Sequence, residues 1–278
     1  MNDVPTAGVG YFVRTAARVL RRPRLRRDVG AVLDEYSAGW EAYRRHLDAA
    51  ASLDDWLFVH GVDDAPRYCR RDGVLEFSGF NSALYYRDVL LATLARHFPA
   101  ATSVAEFGSG LGRNLLFLKR ERPELRLSGF ELCMPGVEIG RRAAEKFALD
   151  VSFTQFDFSK AEAADAALPV CDVAFTMFAL EQVPRGILSV LDRILRRARL
   201  GSIHIEPVTE NYPWSPLGLL GRLDHWKVDY LAGFPEAASK LGVKVTHRPL
   251  AGSHNPLMFP SVYVLERGLL PGSAGARV

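Results

Sequence analysis

A glycine-rich turn constrains the fold of this chain more than any other feature of its sequence. Residues 104–114 read VAEFGSGLGRN, in which three alternating glycines, Gly108, Gly110 and Gly112, follow an apolar run that contains Glu106. Glycines at this spacing let a strand turn tightly into a helix, and they let a ligand approach the backbone at the carboxyl end of the strand. The segment therefore predicts a strand, a ligand-binding turn and a helix.

Short apolar runs alternate with helical segments from residue 103 onward, which is typical of a parallel sheet covered by helices on both faces. Strands are predicted at residues 103–107, 125–130, 151–156, 170–178, 202–206, 243–249 and 261–266, and helices at residues 113–120, 135–149, 185–199 and 230–241. Only the loop 250–260 joins the last two strands, which leaves no room for a crossover helix, so they must pair antiparallel. The predicted fold class is α/β: a doubly wound, mostly parallel seven-stranded sheet with one antiparallel closing strand, plus an N-terminal helical cap.

The first hundred residues have a helical pattern instead. Apolar residues recur at three- and four-residue spacing in residues 29–51 and 82–97, which predicts two amphipathic helices. We expect an N-terminal helical region 1–98, with a basic arm 14–27 and a cap or lid 29–98, followed by a core 99–267 and a flexible tail 268–278.

Composition excludes several classes of protein. The chain has 278 residues, of which 48% are hydrophobic, and only three cysteines without C-x-x-C spacing, which excludes a disulfide scaffold and a cysteine zinc site. No apolar run is long enough to span a membrane, and the cysteine usage fits a reducing compartment, so we expect a cytoplasmic protein.

Seven arginines and no acidic residue occur between Arg14 and Arg27. We interpret this stretch as a solvated arm, and the alternative is a surface that attracts anionic lipid or nucleic acid by charge. Pro23 interrupts any helix there, no aromatic residue lies among the arginines, and the rest of the chain is mildly acidic. A nucleic-acid partner is therefore not expected, and contact with a membrane surface is not favoured.

The glycine spacing distinguishes between nucleotide-type ligands. A dinucleotide fingerprint, G-x-G-x-x-G, would place its third glycine at position 113, which is Arg113, whereas this chain has Gly112 and an acid, Glu106. The pattern E-x-G-x-G-x-G resembles motif I of the class I S-adenosylmethionine-dependent methyltransferases, whose fold also contains a closing antiparallel strand. A carboxylate at this loop suits a cationic sulfonium ligand and would repel a pyrophosphate. The resemblance spans residues 103–267 and implies S-adenosyl-L-methionine as the cofactor and S-adenosyl-L-homocysteine as its product.

The resemblance also implies where the cofactor is bound. Glu131, at the end of the second strand, would accept hydrogen bonds from both ribose hydroxyls, and Asp157, after the third strand, would accept one from the adenine amine. A surface acid and a helix cap are the alternative interpretations of these two residues. The cofactor-binding residues that the resemblance implies are Glu106, Gly108, Gly110, Gly112, Glu131, Asp157, Phe158 and Phe178.

A general base is expected on the loops that follow the strands, because ligands of open α/β sheets lie outside the carboxyl ends of the strands. His225 and His254 are assigned to such loops, and an imidazole titrates near neutral pH, so either can remove a proton from an acceptor. Glu181 is the third candidate, as the base or as the partner of a cationic amine. His204, within a predicted strand, is expected to be a packed residue. A metal site is not expected, although four scattered side chains could collect one: Glu206, Asp224, His225 and His254.

These patterns predict S-adenosylmethionine-dependent methyl transfer to a small-molecule acceptor, at oxygen or nitrogen rather than carbon, as in the tailoring of natural products or sugars. The N-terminal lid is expected to bring Tyr85 or Tyr86 beside the methionine part of the cofactor. The segment after the fourth strand lacks the [N/D]-P-P-[Y/F] pattern of enzymes that methylate nucleobase amines, which disfavours nucleic-acid substrates. The alternatives are a nicotinamide-dependent oxidoreductase and a non-catalytic cofactor-binding or membrane-surface adaptor protein, and the oligomeric state stays open.

Overall fold

A computed structural model describes residues 4–59, 65–157, 168–183 and 185–268. Within these ranges the elements, in chain order, are α1 (Val4–Arg21), α2 (Val29–Ala49), α3 (Leu53–Leu57), β1 (Arg67–Arg71), β2 (Val74–Ser78), α4 (Ser82–His97), β3 (Ser103–Phe107), α5 (Arg113–Glu121), β4 (Arg126–Glu131), α6 (Met134–Lys146), β5 (Val151–Gln155), β6 (Cys171–Met177), α7 (Ile187–Arg197), β7 (Ala198–Pro207), α8 (Pro216–Lys227), α9 (Phe234–Ser239), β8 (Lys244–Pro249) and β9 (Pro260–Glu266). Two short 3-10 turns, Leu180–Gln182 and Thr209–Asn211, follow β6 and β7.

Seven strands form the central sheet in the order β5-β4-β3-β6-β7-β9-β8. The strands β3 to β7 are parallel to one another, whereas β9 runs antiparallel to both of its neighbours, β7 and β8. The chain order reverses at β3, which has β4 on one side and β6 on the other, and open α/β sheets bind ligands at such a switch point. The structure confirms the predicted doubly wound sheet and its antiparallel closing strand.

Apolar side chains alternate between the two faces of the sheet and form a core on each. In β6, Val173 and Phe175 join one cluster together with residues of α4 and α5, whereas Ala174 joins another cluster with residues of α7. A strand that is covered on both faces is apolar at successive positions, which explains the apolar run at residues 173–175. Each large apolar side chain that is fully buried here stabilises the fold by about 1.5–3 kcal/mol.

The N-terminal helices pack against the sheet. Trp40 and Leu47 of α2 and Leu90 of α4 belong to the apolar cluster that also contains Val104 of β3. The helix predicted at residues 82–97 is confirmed at Ser82–His97, and Asn81 caps it, because its Oδ1 accepts a hydrogen bond from the amide of Leu84 at 3.0 Å. The division of the chain at residue 98 stays a prediction.

Several elements depart from the sequence-based expectation. α1, α3, the β1–β2 hairpin and α8 were not predicted, and the helix expected at residues 230–241 is restricted to Phe234–Ser239. The restriction follows from Gly233, whose left-handed backbone (φ 80°) precedes the first helical residue. The predicted tail from residue 268 lies, beyond its first residue, outside the described residues. None of the helices in the described part of the chain is long and apolar enough to cross a membrane.

Residues 14–27 are a solvated arm only in part. α1 ends at Arg21, just before Pro23, and the following arginines contact the rest of the protein. Arg22 donates to Asp224 over 2.8 Å, and Arg27 is only 8% exposed. The C-terminal end of the stretch is therefore held against the core, whereas the other arginines face solvent.

Gly112 is required by both backbone conformation and packing. Its φ of 73° lies in the left-handed region, and a Cβ atom built there would lie 2.3 Å from Cζ of Phe153. Gly233 offers a matched comparison, because its φ is +80° but a Cβ atom would meet nothing within 4 Å.

We expect Gly112→Ala to destabilise the protein much more than Gly233→Ala. The substitution at Gly233 reports the left-handed strain alone, about 1 kcal/mol, whereas the substitution at Gly112 adds overpacking against Phe153 for a total of about 2–4 kcal/mol. Urea denaturation of both variants measures the difference in the free energy of unfolding. Equal losses would mean that the contact between Gly112 and the Phe153 ring carries no cost.

Candidate functional site

A cavity of about 1200 Å³ opens at the carboxyl ends of β3, β4 and β6. The glycine turn and the loops after the strands form one wall, and residues from α2, α4 and the segment before α2 form the other. The cavity-lining residues fall within residues 26–43, 67, 82–87, 108–114, 131–133, 156–157, 177–190 and 254. A ligand in this cavity would contact both the sheet and the N-terminal region.

Backbone hydrogen bonds fix the glycine turn against the sheet. The amides of Gly108 and Ser109 both donate to the carbonyl of Phe130, at 2.7 and 3.0 Å. A Cβ atom on Gly108 would lie 2.3 Å from the Cβ atom of Ala179, so only glycine fits there. Gly108 and Gly110 line the cavity, whereas Gly112 faces Phe153 and is not part of its lining.

Glu106 lies beneath the cavity rather than in its lining. Its side chain is fully buried, and Oε1 accepts a hydrogen bond from Nδ2 of Asn114 at 2.8 Å. Burial raises the pKa of Glu106 to about 8, against the opposing effects of Asn114 and the positive charge of Arg87. Asn114 and Arg87 do line the cavity, so Glu106 acts on the cavity wall through them.

Sequence reasoning missed Asn114 and Arg87. Arg87 donates from Nε to Oδ1 of Asn114 at 3.2 Å and from Nη1 to the carbonyl of Leu57 at 3.0 Å. An arginine that is 2% exposed is rarely buried without a specific partner, and this one is placed by the contact between α4 and α5. The signal in the sequence was a charged residue inside the apolar pattern of residues 82–97.

Glu131 is held in one orientation by two backbone donors. Its Oε2 accepts from the amide of Gly110 at 2.7 Å, and its Oε1 accepts from the amide of Cys133 at 2.9 Å. Burial raises the pKa of Glu131, and these backbone hydrogen bonds oppose the rise. Each carboxylate oxygen retains a further lone pair, so the cavity has a pre-oriented acceptor for hydroxyl groups.

Asp157 lines the cavity directly after β5, beside Phe156. Phe156 is 7% exposed, and its amide donates to the carbonyl of Glu131 at 2.8 Å, which joins the ends of β4 and β5. Phe158, the other aromatic residue implied by the resemblance, lies outside the described residues.

Phe178 lines the cavity at the end of β6 in a left-handed backbone conformation (φ 54°) that is costly for an aromatic residue. Its amide donates to the carbonyl of Ile205 at 3.0 Å, and its ring packs on that of Tyr86 at a centroid distance of 4.8 Å. Of the two tyrosines expected at the lid, Tyr86 lines the cavity and Tyr85 does not.

Glu181 places a buried carboxyl group on the cavity wall. It lies on the 3-10 turn after β6, is 6% exposed, and accepts from Nε2 of Gln182 through Oε1 at 3.0 Å. Within the described residues its Oε2 atom has no hydrogen-bond partner. Burial raises the pKa of Glu181 to about 8, and the negative charge of Glu206 adds to the rise.

Glu206 holds the turn that carries Glu181. It is fully buried at the end of β7, where Oε1 accepts from the amides of Ala179 and Leu180 at 3.1 and 3.2 Å. Burial raises the pKa of Glu206 to about 7, against the effect of these hydrogen bonds. Glu206 is not part of the cavity lining.

Arg27 brings the arginine-rich segment into the cavity. Its guanidinium pairs with Glu35 at 3.0 Å, donates to Oε1 of Gln182, and lies over the ring of Tyr230 at 4.7 Å from the centroid. Because Gln182 also donates to Glu181, a continuous polar chain runs from Glu35 to Glu181. This role of Arg27 was not predicted, because charge alone does not distinguish it from its neighbours.

The assignment of His225 to a loop at the active edge is wrong. His225 lies on α8, is 3% exposed, and is not part of the lining of the 1200 Å³ cavity. Its Nδ1 atom hydrogen-bonds Oγ1 of Thr209 at 2.6 Å, and its ring stacks on Tyr212. Burial lowers the pKa of His225 to about 3, so the ring stays neutral, and we do not retain it as a candidate base.

His254 and His204 have different environments. His254 lines the cavity as an exposed residue, with Nδ1 3.0 Å from Oγ of Ser82. His204 is fully buried between Thr176 and Ser202, at 2.9 and 2.8 Å, as expected for a packed residue. The part of the chain that the structure describes contains no group of three His, Cys, Asp or Glu side chains placed to hold a metal ion.

Solved structures with the same architecture include two methyltransferase-type proteins. One is magnesium protoporphyrin IX methyltransferase from Synechocystis PCC 6803, solved with bound SAH. Its sequence is 14% identical to this chain, and the two structures superpose with a TM-score of 0.56 over 87% of this chain and 100% of that chain. An O-methyltransferase family protein from Burkholderia thailandensis is 14% identical, with a TM-score of 0.50 over 68% of this chain and 58% of that chain. The sequence matches no protein-family model and no curated protein. The fold of this chain is that of the class I S-adenosylmethionine-dependent methyltransferases.

We expect Glu181→Gln to reduce the loss of stability as pH rises. The carboxyl group keeps its proton in the folded protein up to about pH 8 and loses it near pH 4.5 when unfolded, so between these values rising pH favours unfolding. Relative to the wild type, the free energy of unfolding of the variant should rise by about 1.4 kcal/mol per pH unit across that window. Urea denaturation at several pH values measures the difference.

Glu145→Gln is the matched control for this experiment, because Glu145 is exposed on α6. Across this window, its free energy of unfolding relative to the wild type should vary less than that of Glu181→Gln. A Glu181→Gln profile parallel to the wild-type profile would contradict the assignment of a raised pKa to Glu181.

Proposed function

We propose that this protein is an S-adenosylmethionine-dependent methyltransferase that acts on a small-molecule acceptor. The observation that carries the proposal is the orientation of Glu131 by the amides of Gly110 and Cys133, at 2.7 and 2.9 Å, within a class I methyltransferase fold. This arrangement offers a fixed carboxylate to a pair of hydroxyl groups beside a turn where glycine leaves the backbone accessible. A nucleoside, whose ribose carries two neighbouring hydroxyl groups, fits this carboxylate acceptor.

The residues present fit the cofactor. Glu131 would accept the ribose hydroxyls, Asp157 the adenine amine, and the Gly108–Gly110 backbone would border the rest of the molecule. Phe178 would lie at the boundary between cofactor and acceptor, since it lines the cavity where β6 ends. When bound, S-adenosylmethionine supplies an electrophilic methyl group. The buried position of Glu106 supports a role in holding Asn114, not in contacting the ligand.

The cavity is larger than one cofactor requires. Ligand pockets typically have volumes of roughly 300–1,000 Å³, and this cavity measures about 1200 Å³. We assign the remaining space to the part of the cavity that is lined by Arg27, Tyr36 and Glu181. This space supports an acceptor that is a small molecule with polar groups.

Glu181 is the proposed general base. It lines the cavity, and its Oε2 atom has no partner among the described residues. Burial raises its pKa to about 8, so the deprotonated form, which is populated as the pH rises toward 8, is a stronger base than an exposed carboxylate and can remove a proton from an oxygen or nitrogen acceptor. Gln182 orients the carboxyl group through Oε1. His254, at the exposed side of the cavity, is the alternative base. This chemistry supports an oxygen or nitrogen acceptor rather than carbon, as in the tailoring of natural products or sugars.

We expect the protein to bind S-adenosylhomocysteine, and Asp157→Ala and Glu131→Ala to weaken that binding. Each substitution removes hydrogen bonds to a charged group, worth about 1.5–3 kcal/mol, so the dissociation constant should rise about 10- to 100-fold. Isothermal titration calorimetry measures this rise. Asp150→Ala is the matched control, because Asp150 is exposed and precedes β5, at the strand's opposite end from Asp157.

Binding of NAD in preference to S-adenosylhomocysteine would overturn the proposal in favour of an oxidoreductase. If Asp150→Ala and Asp157→Ala weaken the binding of S-adenosylhomocysteine equally, the result would contradict a binding site at the carboxyl ends of the strands. Thermal melting of each variant establishes that the loss is not one of folding.

A further inference from the structure

One surface of the protein combines exposed apolar side chains with arginines. The outer face of α1 exposes Val9, Val13 and Leu20 to 64%, 59% and 64%, and the segment after it exposes Leu25 to 48%. These three residues of α1 lie four and seven positions apart, so they form one stripe. We call this stripe, together with Leu25 and the exposed Trp226 at the end of α8, the α1 surface.

Backbone contacts make the α1 surface continuous. The amide of Leu25 donates to the carbonyl of Lys227 at 2.7 Å, and Nζ of Lys227 donates to the carbonyl of Leu20 at 2.7 Å. The guanidinium of Arg24 lies 4.2 Å from the ring centroid of Trp226, whose side chain is 51% exposed. The end of α1, the segment after it and the end of α8 are thus held as one unit.

Packing of the core does not account for the exposed stripe. The opposite face of α1 already provides the buried contacts, since Val19 is fully buried in a cluster with Leu220 of α8 and Leu257. The exposed stripe is a second apolar face on the same helix. Exposed apolar patches of this kind mark surfaces that contact another phase or molecule.

The charged residues of α1 and of the segment after it, up to residue 27, are all arginines. No acidic residue occurs between Arg14 and Arg27, and Arg14, Arg18, Arg21, Arg24 and Arg26 are all exposed. Among the described residues, Arg14 and Arg21 have no ion-pair partner. The α1 surface therefore attracts anions and repels a second copy of itself, because a two-fold contact would place arginines against arginines.

We propose that the α1 surface binds an anionic lipid membrane. Aliphatic and tryptophan side chains gain free energy at the boundary between headgroups and acyl chains, and arginines beside them gain it from the negative surface potential. A nucleic acid would satisfy the arginines but leave the exposed Val9, Val13 and Leu20 without a partner. The lipid surface is the occupant that uses both features. Residues 26–28, which line the cavity, would then lie near the bilayer.

The test measures sedimentation of the full chain with vesicles of phosphatidylcholine and phosphatidylserine, compared with vesicles of phosphatidylcholine alone. We expect binding to the mixed vesicles only, weakened by salt. The variant Arg14→Gln/Arg21→Gln should bind about 25-fold more weakly, at about fivefold per arginine. The variant Val13→Ser/Leu20→Ser should lose at least about tenfold, because two apolar side chains no longer insert.

Matched controls remove the same groups from other faces. Arg126→Gln/Arg248→Gln has the same change of net charge, and Leu188→Ser/Val245→Ser removes two exposed apolar residues from α7 and β8. Both controls should bind the mixed vesicles like the wild type. Binding of S-adenosylhomocysteine should be unchanged in the Arg14→Gln/Arg21→Gln variant, which separates this proposal from that of the cofactor site.

Three results would overturn the proposal. One is a wild-type protein that does not sediment with the mixed vesicles, and another is a control pair that weakens binding as much as the α1 pairs. The third is a lipid-free dimer, seen by analytical ultracentrifugation, that Val13→Ser/Leu20→Ser abolishes, because a second copy would then cover the surface.

Discussion

The site depends on the two hydrogen bonds that the Glu131 carboxylate accepts from the amides of Gly110 and Cys133. They join the turn after β3 to the residues between β4 and α6, so one side chain fixes the relative position of two loops. The left-handed glycines make this possible, because the backbone of the turn must come close enough for its amide to reach a side chain. The carbonyl of Phe130 holds the other end of the turn through two further amides.

Buried carboxyl groups are the second constraint. Glu106, Glu181 and Glu206 are each at most 6% exposed, and burial raises the pKa of all three. Burying an acid costs free energy unless donors compensate, and here Asn114 and backbone amides compensate only in part. These buried carboxyl groups therefore lower the stability of the protein at the edge of the sheet where the cavity lies. Groups with shifted pKa values are common at functional sites.

The sequence predicted helices and strands better than side-chain directions. Ser103–Phe107 and Ser82–His97 were located closely, because apolar periodicity and a proline or glycine at the ends define such segments. Gly112 was assigned to the ligand although it faces Phe153, since spacing does not reveal which side of a tight turn an atom would occupy. His225 was misplaced because α8 went unrecognised. Its start does have a signal, a serine cap at Ser215 followed by Pro216.

The cavity has two walls of different origin. One is made by the loops that the sheet must form at its strand ends, and the other comes from residues 26–43 and 82–87, which precede the first strand of that sheet. Changes in the N-terminal wall leave the strand register untouched, because no central strand begins before Ser103. Substitutions in the first hundred residues can therefore reshape one wall of the cavity while the turn after β3 and the other strand-end loops keep their geometry.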